Sequence, residues 1–221
     1  MTAVHTPPPP EPAAARKARP APAHPPLLDQ LAQWYPRLFG AHLLPLKRGI
    51  FEDLMAAHAL DQAELKQALA WHARSTRYLA AVASGQPRHD LQGKAVEPVA
   101  PEHVHHALLQ VFRRRQQRTQ EDLSAQLRQR IVRAWQASGL GRQAYAERVR
   151  GRDEAANAQL DAALADAAAQ DARAEALLRA FEAGTADLST FAAMYGLAVS
   201  EVQRALARAR QLQAGAAQAA A

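Results

Sequence analysis

Apolar residues recur at intervals of three and four positions from residue 27 onward, and this spacing favours α-helix over most of the chain. The first set is Leu27, Leu28, Leu31, Trp34 and Tyr35. Pro36 follows directly. Because proline lacks an amide hydrogen and its ring clashes with the preceding turn, we predict that this helix ends or kinks there. The same spacing in later segments predicts a mostly α fold with, at most, a small β-hairpin.

Residues 1–26 differ from the rest because they hold nine of the 14 prolines in the chain. A proline-rich segment without apolar periodicity is typical of an extended, disordered tail, and we predict one here. Arg16, Lys17 and Arg19 give it a weak attraction for phosphate. The alternative is a solvated tail with no specific role.

The positive charge is concentrated in the first half of the chain. The formal net charge is +6, with 12 basic against 8 acidic residues in 27–118 and 12 of each in 119–221. An excess of Lys and Arg attracts phosphate by electrostatic steering and counterion release. Charge alone does not distinguish RNA, DNA and anionic lipid as the partner.

Several functional classes find little support in the sequence. The chain has no cysteine, no apolar run typical of a signal peptide and no apolar segment of membrane length, so we expect a cytoplasmic protein without a membrane partner. His103 and His106 are three residues apart but lack a second pair of ligands, so we expect no metal and no cofactor. The carboxylates are scattered without a nucleophile–base pair, so we expect no enzyme activity.

A candidate anion site lies near Pro45. Proline favours the first turn of a helix, and Leu46, Ile50 and Leu54 follow at intervals of four, so we predict a helix beginning at Pro45. Lys47 would then lie beside the unpaired amides of the first turn, where an anion is attracted. The alternative is a core helix with a lysine on its surface.

A second helix is predicted to begin with a capping box, in which Asp61 is the N-cap and Glu64 is the acid three residues later. We predict one helix running past residue 76, whose apolar side is formed by Leu65, Ala68, Leu69, His72, Thr76 and Leu79. Its opposite side holds Lys66, Ala70, Arg74 and Arg77, with no acid between Lys66 and Arg77.

A face with one sign of charge favours phosphate contact, because ordinary surface helices mix charges. The aromatic residues Trp71 and Tyr78 flank this face. Tyr78 is either an aromatic residue at the edge of the core or one that contacts a base or phosphate. His72 is expected to be partly buried and hydrogen-bonded rather than a ligand.

The segment after residue 85 predicts a hairpin and a third main helix. Gln92-Gly93 lies between short segments that begin with Arg88, which is typical of a β-hairpin. Pro101-Glu102 opens a helix whose buried stripe is Val104, Ala107, Leu108, Val111 and Phe112. Its basic end, Arg113, Arg114, Arg115 and Arg118, is a possible auxiliary phosphate contact, although cations at this end also complement the helix dipole.

Residues 27–118 resemble the ProQ/FinO domain, the RNA-binding module of bacterial RNA chaperones. The matching motifs occur in order: Pro45-Leu46-Lys47-x-Gly49-Ile50-Phe51-x-Asp53-Leu54, Leu65-Lys66-x-Ala68-Leu69, Ser75-x-Arg77-Tyr78-Leu79, Arg88-x-Asp90-Leu91-x-Gly93 and Glu102-His103-Val104-x-His106-Ala107. The resemblance covers under half of the chain.

This resemblance implies a helical domain with a small β-hairpin and a concave basic face. It implies binding of structured small RNAs and mRNA 3′ ends, in particular a terminator stem-loop with its single-stranded tail. The contacts it implies are Lys47, Lys66, Arg77, Tyr78 and Arg88. Gln62 and Ala70 stand where some members carry cations, and Arg48 and Arg74 are expected to compensate.

Residues 119–221 carry no motif of that family. Leu123, Leu127, Ile131 and Trp135 predict a long helix that continues from the domain, interrupted at Gly139 and Gly141. Residues 153–183 are rich in alanine, which buries little area, and predict a helix or weak coiled coil with little core.

A helix-turn-helix is possible at residues 187–211. Ala192, Gly196, Leu197 and Val202 fit its spacing, with helices at 188–195 and 200–211 that would present Gln203, Arg204 and Arg208. This spacing supports the alternative of a DNA-binding regulator. Helical hairpins with a structural role, or with auxiliary RNA or protein contacts, show it too.

Overall fold

The computed structural model describes residues 24–220 and is mainly helical, as the apolar spacing predicts. The predicted tail lies outside the described residues except for His24, Pro25 and Pro26. The helices of the first half are α1 (Leu27–Trp34), α2 (Pro36–Phe39), α3 (Ile50–Ala57), α4 (Gln62–Arg74), α5 (Thr76–Val82) and α6 (Pro101–Gln116). Those of the second half are α7 (Ser124–Ser138), α8 (Arg142–Val149), α9 (Glu154–Ala183), α10 (Leu188–Met194) and α11 (Val199–Ala220). No helix in the described part is long and apolar enough to cross a membrane.

The first helix breaks where the proline predicts. Tyr35 has φ −131° and ψ 66° between α1 and α2, and Pro36 starts α2. Leu27, Leu28 and Leu31 are buried on one side of α1. The break turns Leu38 and Phe39 into the same core.

The predicted helix start at Pro45 is wrong. Pro45 to Lys47 is an extended segment, in which Leu46 forms a parallel bridge with His89. Helix α3 begins at Ile50, after Gly49, whose φ of 79° is a left-handed conformation that glycine adopts without a steric penalty. Leu46, Ile50 and Leu54 are nevertheless all buried, because an extended residue and a helical face meet the same core.

The predicted single helix through residue 76 is also divided. Asp61 caps α4 as expected, since its side chain accepts the Glu64 N–H at 2.9 Å. Ser75 is extended, with ψ 144°, and its hydroxyl accepts the Tyr78 N–H at the start of α5. The chain therefore changes direction between Arg74 and Arg77, and these two arginines do not share one helical face.

The hairpin forms as predicted. Strand β1 (Arg88–His89) pairs antiparallel with β2 (Ala95–Glu97), with Arg88 opposite Glu97. Gly93 has φ 73° in the turn. The side chain of Asp90 accepts the amides of Gln92 and Lys94, which fixes the loop.

Helix α6 connects the two halves of the molecule. Val104, Ala107 and Leu108 belong to the core that contains α1 to α5. Leu109 and Phe112 pack instead on a second core, formed by Leu127, Ile131, Tyr145, Leu160, Ala163 and Leu164. The second half of the chain thus packs directly on the first.

The sequence prediction for the second half needs two corrections. Helix α7 does not continue α6, because a turn separates them in which the Gln116 side chain donates to the Glu121 carbonyl and accepts the Leu123 N–H. Helix α9 is not short of core, because its buried side chains enter two clusters. Alanine at these positions lets α7 and α11 approach α9 closely.

A buried tyrosine yields a stability prediction. Tyr145 is 0% exposed, and its hydroxyl has no hydrogen-bond partner among the described residues. Burial raises its pKa to about 12. An unpaired buried hydroxyl costs free energy, so Tyr145→Phe is expected to raise the free energy of unfolding by about 1 kcal/mol in urea denaturation.

The exposed Tyr195 provides the control. Tyr195→Phe removes the same hydroxyl from the surface and should change stability by less than about 0.5 kcal/mol. A Tyr145→Phe protein less stable than the parent would show that the hydroxyl is bonded, for example to a buried water.

Candidate nucleic-acid interface

The backbone of Leu46 is the point at which several predicted site residues meet. Its N–H donates to the hydroxyl of Tyr78 at 3.1 Å, and its carbonyl accepts Nη1 of Arg88 at 2.9 Å. On either side, the His89 N–H donates to the Pro45 carbonyl at 2.7 Å and the Lys47 N–H donates to the His89 carbonyl at 2.8 Å. We call this group of residues the Leu46 site: Leu46, Lys47, Arg48, Tyr78, Arg88, Glu97 and His103.

Tyr78 enters the site from the start of α5. Its ring is 8% exposed and lies 4.7 Å from the ring of His72, centroid to centroid. Burial raises the pKa of the phenol, so it stays protonated near neutrality. With the ring in the core, the hydroxyl edge is the part of Tyr78 that faces the Leu46 segment.

Arg88 is largely enclosed, with its side chain 14% exposed. Besides the Leu46 carbonyl, it contacts Nδ1 of His103 at 3.2 Å, and its Nε lies 3.9 Å from Glu97. Arg88 thus projects from the hairpin toward the helices. Its guanidinium joins the hairpin, the Leu46 segment and α6.

Lys47 and Arg48 form the outer part of the Leu46 site. Nζ of Lys47 lies 2.7 Å from a carboxylate oxygen of Asp53, and this hydrogen bond raises the pKa of the lysine. Arg48 donates its backbone N–H to Glu97 at 3.1 Å, while its side chain is 64% exposed. Asp53 thus offsets the charge of Lys47, and Arg48 is the more accessible cation.

Lys66 lies beside α3. Its Nζ is 5.5 Å from the centroid of the Phe51 ring, a cation–π distance, and its side chain is exposed. Phe51 follows directly after Ile50 at the start of α3. This contact places Lys66 next to α3. The first turn of α3 also contains Asp53, the residue that pairs with Lys47.

Arg77 and Arg74 make no hydrogen bond to the Leu46 site among the described residues. Arg77 donates Nη2 to the carbonyls of Gly40 and Ala41 at 2.7 and 2.9 Å, and remains exposed. Arg74 lies at the end of α4, and its carbonyl accepts Nη1 of Arg114 at 2.8 Å. The cations therefore do not form the single helical row that the sequence predicts, because Ser75 divides the helix.

The basic end of α6 is partly structural. Arg113 pairs with Asp153, and Arg114 also donates to the Thr76 hydroxyl at 2.9 Å. Arg115 and Arg118 are exposed. Two of these four predicted auxiliary cations thus hold elements together, and two are accessible.

Besides Leu46, which contributes its backbone, two residues of the Leu46 site were not predicted as site residues. Glu97 faces Arg88 across the hairpin, and Nδ1 of His103, in the first turn of α6, accepts a hydrogen bond from Arg88. An acid directly opposite an arginine in a hairpin is a recognisable sequence signal. His103 had none, because its contact depends on where α6 packs.

His72 and His105 are also buried inside the protein. Burial lowers the pKa of His72 to about 4, assisted by the positive charge of Arg77. Burial likewise lowers the pKa of His105 to about 4, assisted by His106. Nε2 of His72 has no hydrogen-bond partner among the described residues, so the expectation of a hydrogen-bonded histidine is wrong for that atom.

The predicted helix-turn-helix segment is a helical hairpin of α10 and α11. Gly196 has φ 63° in the turn, and Ala192 and Val202 are buried between the helices. Arg208 is half-buried and paired, because its Nε lies 2.5 Å from the buried carboxylate of Asp171. Gln203 and Arg204 are exposed.

Comparison with protein-family models gives one finding for this chain. Residues 23–124 match the model described as the ProQ/FINO family. The match contains the whole Leu46 site and all of α1 to α6, and it ends at Ser124, the first residue of α7. The predicted resemblance is therefore confirmed for this part of the chain.

Proposed function

We propose that this chain is an RNA chaperone for structured small RNAs and mRNA 3′ ends, because residues 23–124 match the ProQ/FinO family of RNA-binding proteins. Its target would be a terminator stem-loop followed by a single-stranded 3′ tail, and its role post-transcriptional regulation in the cytoplasm. It would act without catalysis, by neutralising phosphate charge and holding strands together.

The observation that carries the proposal is the convergence of Tyr78 and Arg88 on the backbone of Leu46. Their hydrogen bonds fix an extended segment whose next two residues are Lys47 and Arg48. A fixed segment presents its cations without a large loss of conformational entropy on binding. This arrangement suits recognition of a sugar–phosphate chain, in which position and charge matter more than base identity.

The shape of RNA also supports the proposal of RNA binding. A-form RNA hides its base edges in a deep, narrow major groove, so proteins recognise duplexes through phosphates, 2′-hydroxyls and shape. Arg48 and Lys66 are exposed cations near the Leu46 segment and α3.

A tail-deletion experiment tests the proposal. We expect a hairpin RNA with a single-stranded 3′ tail to bind at least tenfold more tightly than the same hairpin without it, with affinity that falls steeply as salt rises. Filter binding or fluorescence anisotropy at two salt concentrations would measure both effects. Equal affinities for the two RNAs would contradict recognition of the single-stranded 3′ tail but would not contradict binding of the duplex.

DNA binding through α10 and α11 is the second candidate, supported by the exposed Gln203 and Arg204 on a helix after a tight turn. It draws less support than RNA binding, because the third predicted contact, Arg208, is paired with Asp171. The double variant Gln203→Ala/Arg204→Ala should leave RNA affinity unchanged. Loss of duplex DNA binding in that variant would favour the second candidate.

A further inference from the structure

A groove of about 330 Å³ lies between the end of α5, the start of α6 and one face of α7. Its floor contains Ala83, Val99 and Val104, which are buried, and Ala134. Arg130 and Arg133 stand on the α7 side. We call it the α5–α7 groove. It is formed jointly by the ProQ/FinO domain and the extension, since α7 begins where the family match ends.

The two arginines of this groove form a cluster of like charge with Arg115 of α6, which does not line the groove. Arg130 is half-buried, and its burial together with the positive charges of Arg115 and Arg133 lowers its pKa. Within residues 24–220, no carboxylate lies within 4.0 Å of any of these three guanidinium groups. The cluster is thus a region of uncompensated positive charge beside an apolar floor.

Neighbouring arginines on the same helices are arranged differently. Arg128 lies 3.2 Å from Asp166, and Arg113 pairs with Asp153. Like charges three residues apart on a helix, as Arg130 and Arg133 are, destabilise it. A structural role would favour an acid between them, whereas a site for an external anion needs none.

The chemistry of the groove suits a nucleotide. A phosphate would be held by the guanidinium pair, which donates hydrogen bonds in the geometry that phosphate oxygens accept. The apolar floor offers a base a surface away from water. An inorganic anion would use the rim of the groove and leave the floor uncovered.

The groove is also close to the Leu46 site along the chain. Gly85, which lines the groove, precedes Arg88 by three residues, and Val99 follows Glu97 by two. Three residues span at most about 10 Å. The groove and the Leu46 site are therefore within reach of one short stretch of RNA.

We propose that the α5–α7 groove binds an unpaired nucleotide of the same RNA that occupies the Leu46 site, with its phosphate at Arg130 and Arg133 and its base on the apolar floor. This inference rests on the proposed RNA-binding function. It assigns α7, outside the family match, a direct part in RNA binding.

The test is RNA binding by the full-length double variant Arg130→Ala/Arg133→Ala. With a hairpin RNA that has a single-stranded 3′ tail, we expect affinity about tenfold lower near 0.15 M salt. The slope of log affinity against log salt should fall in magnitude by about 1.4, since two contacts to single-stranded phosphate are lost. In the absence of RNA, the variant should melt at the same temperature as the parent or higher, because like-charge repulsion is removed.

The matched control removes two exposed arginines elsewhere, Arg179 on α9 and Arg210 on α11. Arg179→Ala/Arg210→Ala lowers the net charge equally and should change RNA affinity by less than about twofold. Equal losses in the two double variants would overturn the proposal, because the effect would then be one of net charge. A lower melting temperature in Arg130→Ala/Arg133→Ala would also overturn it, by showing a structural role.

Two further measurements separate the possible sources of the nucleotide. Ala137→Leu narrows the groove at an exposed position without changing charge and should weaken RNA binding several-fold. Titration with AMP measures binding of a free nucleotide. Saturable AMP binding together with unchanged RNA affinity in Arg130→Ala/Arg133→Ala would assign the groove to free nucleotides and overturn the RNA proposal.

The proposal for the groove and the proposal for the Leu46 site can be contradicted independently of each other. If Arg88→Ala leaves RNA binding intact while Arg130→Ala/Arg133→Ala abolishes it, the proposed role of the Leu46 site is wrong and the groove stands. If Arg88→Ala abolishes binding and the groove variant matches its control, the reverse holds.

Discussion

Replacement of Arg88 by alanine is expected to weaken binding of a hairpin RNA with a 3′ tail roughly 100-fold, or about 3 kcal/mol. The guanidinium holds the Leu46 carbonyl and lies near Glu97. Its removal frees the Leu46 segment. It also leaves the negative charge of Glu97 less compensated, close to the phosphates of the RNA. Both effects act against phosphate, so the loss should exceed that for an exposed cation.

The matched variants for this prediction are Arg88→Lys and Arg179→Ala. Lysine restores the charge but not the planar pair of donors, so Arg88→Lys should recover only part of the affinity. Arg179 is an exposed arginine on α9 and its loss should have little effect. Melting temperatures would be compared for all three proteins. Arg88→Ala binding within threefold of the parent, with an unchanged melting temperature, would contradict the assignment of the Leu46 site.

The protein is expected to lose about 4 kcal/mol of stability between pH 7.5 and pH 5.0 through two buried histidines. His72 and His105 have pKa values lowered by burial to about 4, against the usual 6.5. Below pH 6.5 these two histidines become protonated in the unfolded chain but remain neutral in the folded protein, so stability falls as pH decreases. The loss is about 2 kcal/mol for each histidine at pH 5 and stops growing below pH 4.

Urea denaturation at several pH values would measure this effect. In the double variant His72→Gln/His105→Gln, which has no titrating group at these positions, the loss between pH 7.5 and 5.0 should shrink by most of that amount. His42→Gln, at an exposed position, serves as the control and should keep the parent profile. A double variant with an unchanged profile would show that other groups cause the pH dependence.

Much of the fold follows from local patterns along the chain. Asp61 and Pro101 mark helix starts because a capping carboxylate and a fixed φ stabilise a first turn without help from elsewhere. Gly93 marks the hairpin turn because its φ of 73° favours glycine. The order of the family motifs also identified the domain, since it depends on residue types and their spacing alone.

The local patterns failed where a distant residue decided the conformation. Pro45 and Leu46 have the spacing of a helix start, but their backbone groups pair with His89 and with the side chains of Tyr78 and Arg88. Hydrogen bonds across more than 30 residues outweighed a weak helical preference. The same convergence created the Leu46 site, so its geometry could not be read from the sequence.

The sequence by itself determined which residues are cationic, which segments are helical and which family model residues 23–124 match. The tertiary structure alone decided which cations are accessible. Asp53 engages Lys47, the Gly40 and Ala41 carbonyls engage Arg77, and Asp171 engages Arg208. The fold also brings Arg115, Arg130 and Arg133 together, and no carboxylate among the described residues forms an ion pair with them. The physical reason is that charge is a property of each residue, whereas its neutralisation depends on partners that only folding brings within hydrogen-bond distance.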